Sequence, residues 1–212
     1  MSHSLHRSGG VDCLLDDYTT LSLGIKGYNT EETPLAVGEA AKVALRHNSI
    51  NGVWTGWTGP EITPDTPAEA FIGAKVQGGT HAVFTSEEDL VGFLREMREL
   101  DMGISVVVSG LFDHVHDCCR RAGLEPHTVN TSLGVWGKTD LLPEERVLDI
   151  STMCGHGLVT FALIKDCADK IRSGKMTPEQ AAEKMRPLCY CGIFNTKRAA
   201  RILSRISAEP SE

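Results

Sequence analysis

Hydrophobic residues follow two different periods in the first two thirds of the chain, and each period predicts one kind of element. Residues 104–108 form a continuous apolar run, which is typical of a strand buried on both faces. A shorter apolar run covers residues 81–84, and apolar side chains recur at alternate positions over residues 127–136. Between these predicted strands the apolar residues recur every three to four positions, which predicts helices over residues 86–100 and 111–122.

The order of these elements predicts the topology of the sheet. Consecutive strands that are joined by helices favour parallel pairing with right-handed crossovers. Two further strands are predicted upstream, over residues 11–15 and 19–25, and a helix is predicted over residues 34–46. We therefore expect an α/β fold with a βαβ-type, mostly parallel sheet flanked by helices.

The pattern changes after residue 137, where only helices are indicated. Thr177 and Gln180 form a capping box that starts one of these helices, and Asn195 is positioned to cap the last one. The predicted helices cover residues 143–150, 158–173, 177–186 and 196–206. The expected organisation is a disordered N-terminus at residues 1–10, an α/β body at residues 11–140 and a helical, cysteine-bearing C-terminal region at residues 141–212.

Charge and composition narrow the classes of function. The chain has 212 residues, a formal net charge of −7 and only 6% aromatic residues. An acidic chain repels phosphate backbones, and one with few aromatic side chains offers few stacking surfaces, so we expect no nucleic-acid partner. No apolar run reaches the roughly 18 residues that a membrane span needs, and residues 1–10 are too polar for a secretory signal. We expect a cytoplasmic protein with no membrane partner.

The chain has seven cysteines, a high number for a cytoplasmic protein, in which they are not expected to form disulfides. Cys154 lies in a Cys-Gly-His-Gly segment, and Cys189 and Cys191 lie in a Cys-Tyr-Cys-Gly segment, each next to a predicted helix end. Loops of this kind let sulfur atoms from distant parts of a chain converge, and free amides near a helix start favour the thiolate. These three residues are therefore the predicted ligands of a metal or cluster.

Three thiolates suit a [4Fe–4S] cluster, because they hold three of its irons and leave the fourth open to substrate. An open iron acts as a Lewis acid. We therefore expect an iron–sulfur enzyme, or a subunit of one, with the chemistry of a dehydratase or another lyase. His156, two residues after Cys154, is the predicted catalytic residue for proton transfer and is also a candidate fourth ligand.

The start of the last predicted helix is basic and suits an anionic substrate. Asn195 precedes this helix, and Lys197 and Arg198 lie in its first turn. A second candidate anion site lies at Ser109, where a predicted strand is followed by the free amides of a helix start. The predicted partners are a small anionic molecule and, for assembly, further copies of the chain or a partner subunit.

Two other functions fit the same segments. In the first, the three cysteines either hold zinc, in a Cys₃His tetrahedron with His156, or hold no metal, and the chain is a non-catalytic assembly or interaction subunit. Trp54 and Trp57, in a loop rich in glycine and proline, would then supply a contact surface. In the second, Cys154 is an enzyme nucleophile that His156 and the helix start activate. The sequence contains no P-loop, dinucleotide-binding, zinc-protease or serine-hydrolase motif.

Overall fold

The structure is a computed structural model that describes residues 7–25, 27–28, 31–75 and 79–208. The contacts within the chain separate two compact units. The sheet unit is Leu15–His127, and the helical unit combines Met1–Leu14 with Thr128–Glu212. The sheet unit is therefore an insertion in the sequence of the helical unit.

Twelve strands and α-helices make up the regular structure of the described residues. In chain order they are α1 (Val11–Leu14), β1 (Tyr18–Leu23), α2 (Thr33–Arg46), β2 (Asn51–Trp54), β3 (Thr80–Phe84), α3 (Glu87–Leu100), β4 (Ser105–Ser109), α4 (Phe112–Ala122), α5 (Glu145–Ser151), α6 (Phe161–Arg172), α7 (Pro178–Met185) and α8 (Thr196–Ala208). Short 3₁₀ helices lie at Ala68–Phe71, Thr139–Leu141 and Arg186–Leu188. Within the described ranges, no helix combines the length and the apolar character that crossing a bilayer requires.

The sheet is antiparallel, with the strand order β2-β3-β1-β4, so the prediction of a mostly parallel sheet is wrong. β3 and β4 do run in the same direction, because both are antiparallel to β1. α3 connects them as predicted, but β1 lies between them and pairs with both. The apolar pattern identifies strands and the helices between them. It does not encode the insertion between them of β1, a strand that precedes β3 by about 60 residues in the chain.

The predicted strand over residues 127–136 is also wrong, because this segment is irregular and exposed. Leu133 is 84% exposed and Trp136 is 83% exposed, so the alternating apolar residues mark no buried face. Gly134 has a φ of +94°, which lies outside the extended region of a strand and interrupts the alternation. β4 is consequently an edge strand with half-buried valines, whereas its apolar run predicts burial on both faces.

The core of the sheet unit lies between one face of the sheet and the helices α2, α3 and α4. Tyr18 and Phe84 face each other across β1 and β3, and both are fully buried. The ring of Phe84 packs against Phe93 of α3 with the ring centroids 5.1 Å apart. Each such aromatic side chain contributes about 1.5–3 kcal/mol through burial, so these residues fix the helices on the sheet.

Local sequence determines several helix ends as predicted. The hydroxyl of Ser86 accepts the amide of Asp89 at 3.1 Å and starts α3. At the start of α7 the Thr177 hydroxyl accepts the amide of Gln180, whose side chain accepts the Thr177 amide in return, so the predicted capping box is confirmed. Asn195 Oδ1 accepts an amide in the first turn of α8 at 2.9 Å, which confirms that cap.

The helical unit is organised around α8, which packs against α5, α6 and α7. Ile150 of α5, Ile164 of α6 and Met185 of α7 are fully buried, and so is Leu203 of α8. The four predicted helices of this unit are present, with bounds within a few residues of those expected. The loop after α5 and the loop after α7 therefore both follow helices that pack against α8.

The beginning of the chain joins this unit. The predicted strand over residues 11–15 is wrong: these residues form the one-turn helix α1, closed by the Cys13 amide on the carbonyl of Gly10 at 2.9 Å. The side chain of Cys13 is buried, and Arg198 Nε of α8 donates to its sulfur at 3.4 Å. Tertiary packing on α8 therefore overrides the strand preference of this short segment.

The predicted disorder of residues 1–10 concerns two different stretches. Residues 1–6 lie outside the described residues. Next to them, the side chain of Arg7 donates to the carbonyl of Ile193, and the amide of Ser8 donates to the hydroxyl of Thr152 at 2.9 Å. Residues 7 and 8 are therefore hydrogen-bonded to the loops that follow α5 and α7.

Candidate functional site

Two four-residue turns of the helical unit carry the predicted ligands, and they share one backbone design. In the Cys-Gly-His-Gly turn the amide of Gly157 donates to the carbonyl of Cys154 at 2.9 Å. In the Cys-Tyr-Cys-Gly turn the amide of Gly192 donates to the carbonyl of Cys189, also at 2.9 Å. The two glycines have φ angles of +69° and +64°, a conformation that strongly favours glycine. Each turn therefore presents donor side chains from its first and third positions.

Neighbouring helices position these two turns. The first turn continues from the end of α5, where the amide of Cys154 donates to the carbonyl of Ser151 at 3.0 Å. The second turn follows the 3₁₀ helix Arg186–Leu188, where the amide of Cys189 donates to the carbonyl of Arg186 at 3.1 Å. Because α5 and α7 both pack against α8, the turns that follow them come together.

The structure brings the matching positions of the two turns into contact. At the first positions, the sulfur atoms of Cys154 and Cys189 are joined by a hydrogen bond. At the third positions, Cys191 Sγ lies 3.5 Å from His156 Nδ1. The structure thus brings the two turns together through two pairs of side chains, Cys154 with Cys189 and His156 with Cys191, and each contact joins residues that are 35 positions apart in the sequence.

The surroundings of Cys154 stabilise its thiolate. The thiol of Cys189 donates to its sulfur, and the backbone amides of His156, Leu158 and Val159 donate to it as well. These hydrogen bonds lower the pKa of Cys154 well below the ordinary value of a thiol, although the side chain is only 2% exposed. These amides lie between the end of α5 and the start of α6, so their hydrogen bonds to Cys154 do not compete with those of a helix.

The other two cysteines are held in the protonated form. The pKa of Cys189 is raised strongly by the hydrogen bond between Cys189 and the sulfur of Cys154 and by burial. The hydrogen bond from the amide of Ile193 lowers this pKa only in part. Burial, followed by the charge of Cys154, raises the pKa of Cys191. Among the three sulfur atoms, that of Cys154 is therefore the one whose surroundings favour a negative charge.

The donor types and their convergence fit a thiolate metal site, but the coordination geometry is not preformed. Among the residues that the structure describes, no three Cys, His, Asp or Glu side chains are arranged to hold a metal ion. The thiol of Cys189 instead donates to the sulfur of Cys154. Metal ligation requires deprotonated thiols, so binding at these residues would displace the proton of Cys189.

The residues predicted to bind an anionic substrate have different surroundings. Asn195 is fully buried and caps α8, while Lys197 is exposed in the first turn of that helix. Arg198 is also fully buried, and its guanidinium donates to the carbonyl of Ser8 as well as to the sulfur of Cys13. Arg198 therefore holds the start of the chain against α8.

Ser109 lies in the sheet unit, at the end of β4. Its side chain is 8% exposed, and its hydroxyl has no hydrogen-bond partner among the described residues. The helix that follows, α4, has Leu111 at its N-cap without a side-chain cap. The structure thus places Ser109 at a helix start as expected, in a different unit from the cysteines.

The tryptophans of the long loop pack inside the sheet unit. Trp54 is 3% exposed and stacks on Trp57, with the ring centroids 4.9 Å apart. Both rings contact Phe71, each at a centroid distance of 5.5 Å. These side chains form a small second core beneath the loop, and Trp57 is the more accessible of the two tryptophans.

The sequence does not predict that the candidate donors lie on two turns of matched design. The repeated pattern, a cysteine, a second donor two positions later and a glycine after that, is visible in Cys154-Gly155-His156-Gly157 and Cys189-Tyr190-Cys191-Gly192. Aligning the two segments would have predicted the matched turns. The amides of Leu158 and Val159 carry no signal of this kind, because any residue supplies an amide.

The chain matches no protein-family model, no curated protein and no solved structure.

Proposed function

We propose that the helical unit binds a metal cofactor through Cys154, Cys189 and Cys191, and that this cofactor is a [4Fe–4S] cluster. The observation that carries the proposal is the meeting of donor side chains from two matched turns. Structural cysteines usually lie on the apolar face of an element, as Cys167 does in α6. The three proposed ligands lie instead on glycine-containing turns, where the backbone leaves room for a bulky group.

The residues around the sulfur atoms suit lyase chemistry of the dehydratase type on a small anionic substrate. A cluster held by three cysteines supplies an open iron that polarises a hydroxyl or carbonyl oxygen. The amides on Cys154 keep one ligand deprotonated, and the exposed His156 beside Cys191 moves a proton to or from the substrate. Lys197, exposed at the start of α8, attracts the anionic group.

The same chemistry bears on the compartment and the assembly state in which the protein acts. Ligation by free thiols is suited to the reducing cytoplasm, where we place the protein. We also propose that it acts as a homo-oligomer or with a partner subunit, since the exposed apolar residues Leu133, Val135 and Trp136 suit an interface.

Analysis of iron, acid-labile sulfide and zinc in anaerobically purified protein tests the proposal. We expect a brown protein with about four iron and four sulfide per chain, as the composition of the cluster requires. A colourless protein that also fails to take up iron and sulfide under anaerobic reconstitution would exclude the cluster.

Variants show whether these residues hold the metal. Cys154→Ala, Cys189→Ala and Cys191→Ala should each lose most of the bound iron. Cys167→Ala is the matched control, because it removes another buried cysteine of the same unit and should retain the cluster. Equal iron content in the control and the three variants would contradict the assignment of ligands.

Zinc is the second candidate cofactor, and the contact between His156 and Cys191 favours it. Zinc–sulfur and zinc–nitrogen distances of about 2.3 and 2.0–2.1 Å in a tetrahedron place the two donor atoms roughly 3.5 Å apart. The observed distance between Cys191 Sγ and His156 Nδ1 is 3.5 Å. His156→Ala therefore separates the candidates: it should release zinc from a Cys₃His site, whereas a cluster on three cysteines should remain with its proton transfer impaired.

The third candidate, a Cys154 nucleophile, has less support. Its sulfur is a stabilised thiolate, but the side chain is only 2% exposed, which restricts access by a substrate. The ring of His156 contacts Cys191, while its amide is the group that reaches Cys154. Rapid alkylation of Cys154 alone in a metal-free protein would favour this candidate over both metal sites.

A further inference from the structure

One edge of the sheet, the strand β4, has no protection against pairing with another strand. β4 is the last strand in the order β2-β3-β1-β4, and among the described residues it pairs with β1 alone. Its sequence, Ser-Val-Val-Val-Ser, contains no charged residue and no proline, and its first four side chains are only half-buried. Proteins usually protect an edge strand with such residues, because its unpaired amides and carbonyls bind other strands. β4 is therefore suited to extend the sheet.

The opposite edge, β2, is a poor template for pairing. It has only four residues, and two of them, Asn51 and Gly52, are of types that are depleted in strands. Gly52 is also required where it is, since a Cβ there would lie 2.4 Å from the carbonyl oxygen of His81. A short strand of weak strand formers is one of the ways in which an edge is protected. The contrast singles out β4 as the edge that is open to a partner.

The sequence of β4 indicates which partner fits it. Ser105–Ser109 is the same when it is read in either direction. Two copies that pair antiparallel about Val107 therefore place identical residues opposite each other along the whole strand. Each Val107 faces its counterpart and each Val106 faces a Val108, and such cross-strand pairs of β-branched residues stabilise an antiparallel ladder. A two-fold axis produces this pairing and closes the assembly at two chains.

The helix α4 lies along the same edge. It packs against β4 and α3, and its bonds towards α3 come from His114 and Arg121, which both contact Glu87. The helical period places Phe112 and His116 on the opposite flank, on the side of the open edge. Their rings pack on each other with the centroids 4.1 Å apart, and Phe112 is 47% exposed. An exposed aromatic side chain beside an unpaired strand suits a subunit interface.

The charges of α4 also favour a second copy in the antiparallel direction. Asp113 lies in the first turn of α4 and Arg120 in its last turn, seven residues later and thus on the same side of the helix. The two-fold axis that pairs the strands also makes the two α4 helices antiparallel. The acidic start of each helix then lies beside the basic end of the other, which is an attractive arrangement.

We propose that β4 pairs with β4 of a second copy about a two-fold axis at Val107, so that two chains form one eight-stranded antiparallel sheet. The two α4 helices then lie side by side on the same face of this sheet, with Phe112 and His116 between them. This interface rests on the homo-oligomer proposed above and specifies it. It is independent of the metal cofactor, because its residues all belong to the sheet unit.

The mass of the full-length protein in solution, measured by light scattering over a range of concentrations, tests the interface. We expect twice the 23.0 kDa of one chain. Phe112→Glu should weaken the dimer by about 100-fold or more, because each dimer loses two apolar contacts and gains two charges. Ile72→Glu is the matched control, since Ile72 is a 70% exposed apolar residue of the same unit, and this variant should remain a dimer.

Two outcomes would overturn the proposal. A wild-type protein that is monomeric at every concentration would contradict both this interface and the proposed homo-oligomer. A dimer that survives Phe112→Glu but dissociates in Trp136→Glu would retain the homo-oligomer and move its interface to the exposed segment around Trp136.

A cysteine at the two-fold axis tests the strand pairing itself. All seven native cysteines are buried, so Val107→Cys adds a more accessible thiol whose counterpart lies directly opposite. Mild oxidation with glutathione disulfide should then link the two chains covalently. Ser105→Cys is the control, because its counterpart lies four residues away, roughly 13 Å, which is too far for a disulfide. Equal cross-linking of the two variants, or none in Val107→Cys, would contradict the pairing even if Phe112→Glu fails to fold.

Discussion

The sheet unit and the helical unit both bury cysteines, but they surround them with different groups. Cys118 and Cys119 of the sheet unit lie on α4, within the apolar cluster that includes Phe93 and Leu94. Burial raises the pKa of Cys118 to about 11. In the helical unit the equally buried Cys154 meets backbone amides and a second thiol, and its pKa is lowered.

This difference shows that burial alone does not determine the chemistry of a cysteine. Within α4 the amides are engaged by the helix itself, so no donor remains for a sulfur atom. In the turn after α5, the amides of His156, Leu158 and Val159 donate to the sulfur of Cys154. The backbone conformation around a cysteine therefore decides whether it packs as a small apolar residue or acts as a thiolate.

The largest loss of stability is expected from replacing Arg198, a fully buried cation of the helical unit. Arg198→Met should reduce the free energy of unfolding by about 3–5 kcal/mol, because it removes the hydrogen bonds of a fully buried guanidinium to the carbonyl of Ser8 and the sulfur of Cys13, together with the positive charge near Asp149. Arg46→Met is the control in the sheet unit. Its exposed ion pair with Glu96 should be worth less than about 1 kcal/mol. Urea unfolding measures both, and similar losses in the two variants would contradict the contrast between the units.

A smaller effect is expected from the turn that carries Cys154. Gly157→Ala should cost about 1–2 kcal/mol, because its φ of +69° is unfavourable for any side chain with a Cβ. Gly174→Ala is a closely matched control in the same unit, since its φ is +70° and a Cβ at either glycine meets no atom within 4 Å. Only Gly157→Ala should also weaken metal binding. Equal metal affinity in the two variants would show that the turn does not position the ligands.

The smallest effect concerns the pH dependence of the sheet unit. Burial holds the pKa of Cys118 at about 11, compared with an ordinary value of 9.0 that applies to the unfolded chain. The unfolded state thus loses this proton first, so the stabilisation is complete below pH 9 and is lost as the pH rises towards 11.

Comparison with Cys118→Ala isolates this contribution. Between pH 8 and pH 10 the wild-type protein should lose about 1 kcal/mol more stability than the variant, as measured by urea unfolding. Tyr18 is present in both proteins, and because its pKa is raised chiefly by burial, with Cys118 a lesser cause, most of its contribution cancels in the difference. Parallel stability curves for the two proteins would contradict the assignment.

Local signals in the sequence predicted the helices well, because their ends depend on neighbouring residues. Ser86 and Thr177 cap α3 and α7 through hydrogen bonds that span three positions. The same reasoning failed for the sheet. The pairing of β1 with β3 and β4 is a long-range choice, and the alternation around Leu133 has no sheet to join.

The candidate site was predictable in part for the same reason. The types and spacing of Cys154, Cys189 and Cys191 indicated a common site, and their loops do come together. The sequence did not indicate that Arg198 is fully buried or that Asp149 lines a cavity. Both properties depend on how the first residues of the chain pack on α8, which no local pattern encodes.

The insertion of the sheet unit within the helical unit has a consequence for protein synthesis. Cys13 and Arg198 are hydrogen-bonded to each other but are 185 positions apart, so the segment that carries Arg198 must be synthesised before they can meet. The sheet unit, complete by His127, is able to fold while the segments after it are still being translated. The residues before the sheet unit therefore find their place on α8 later than the sheet forms, and a translation product truncated after His127 would carry a folded sheet without the cysteine turns.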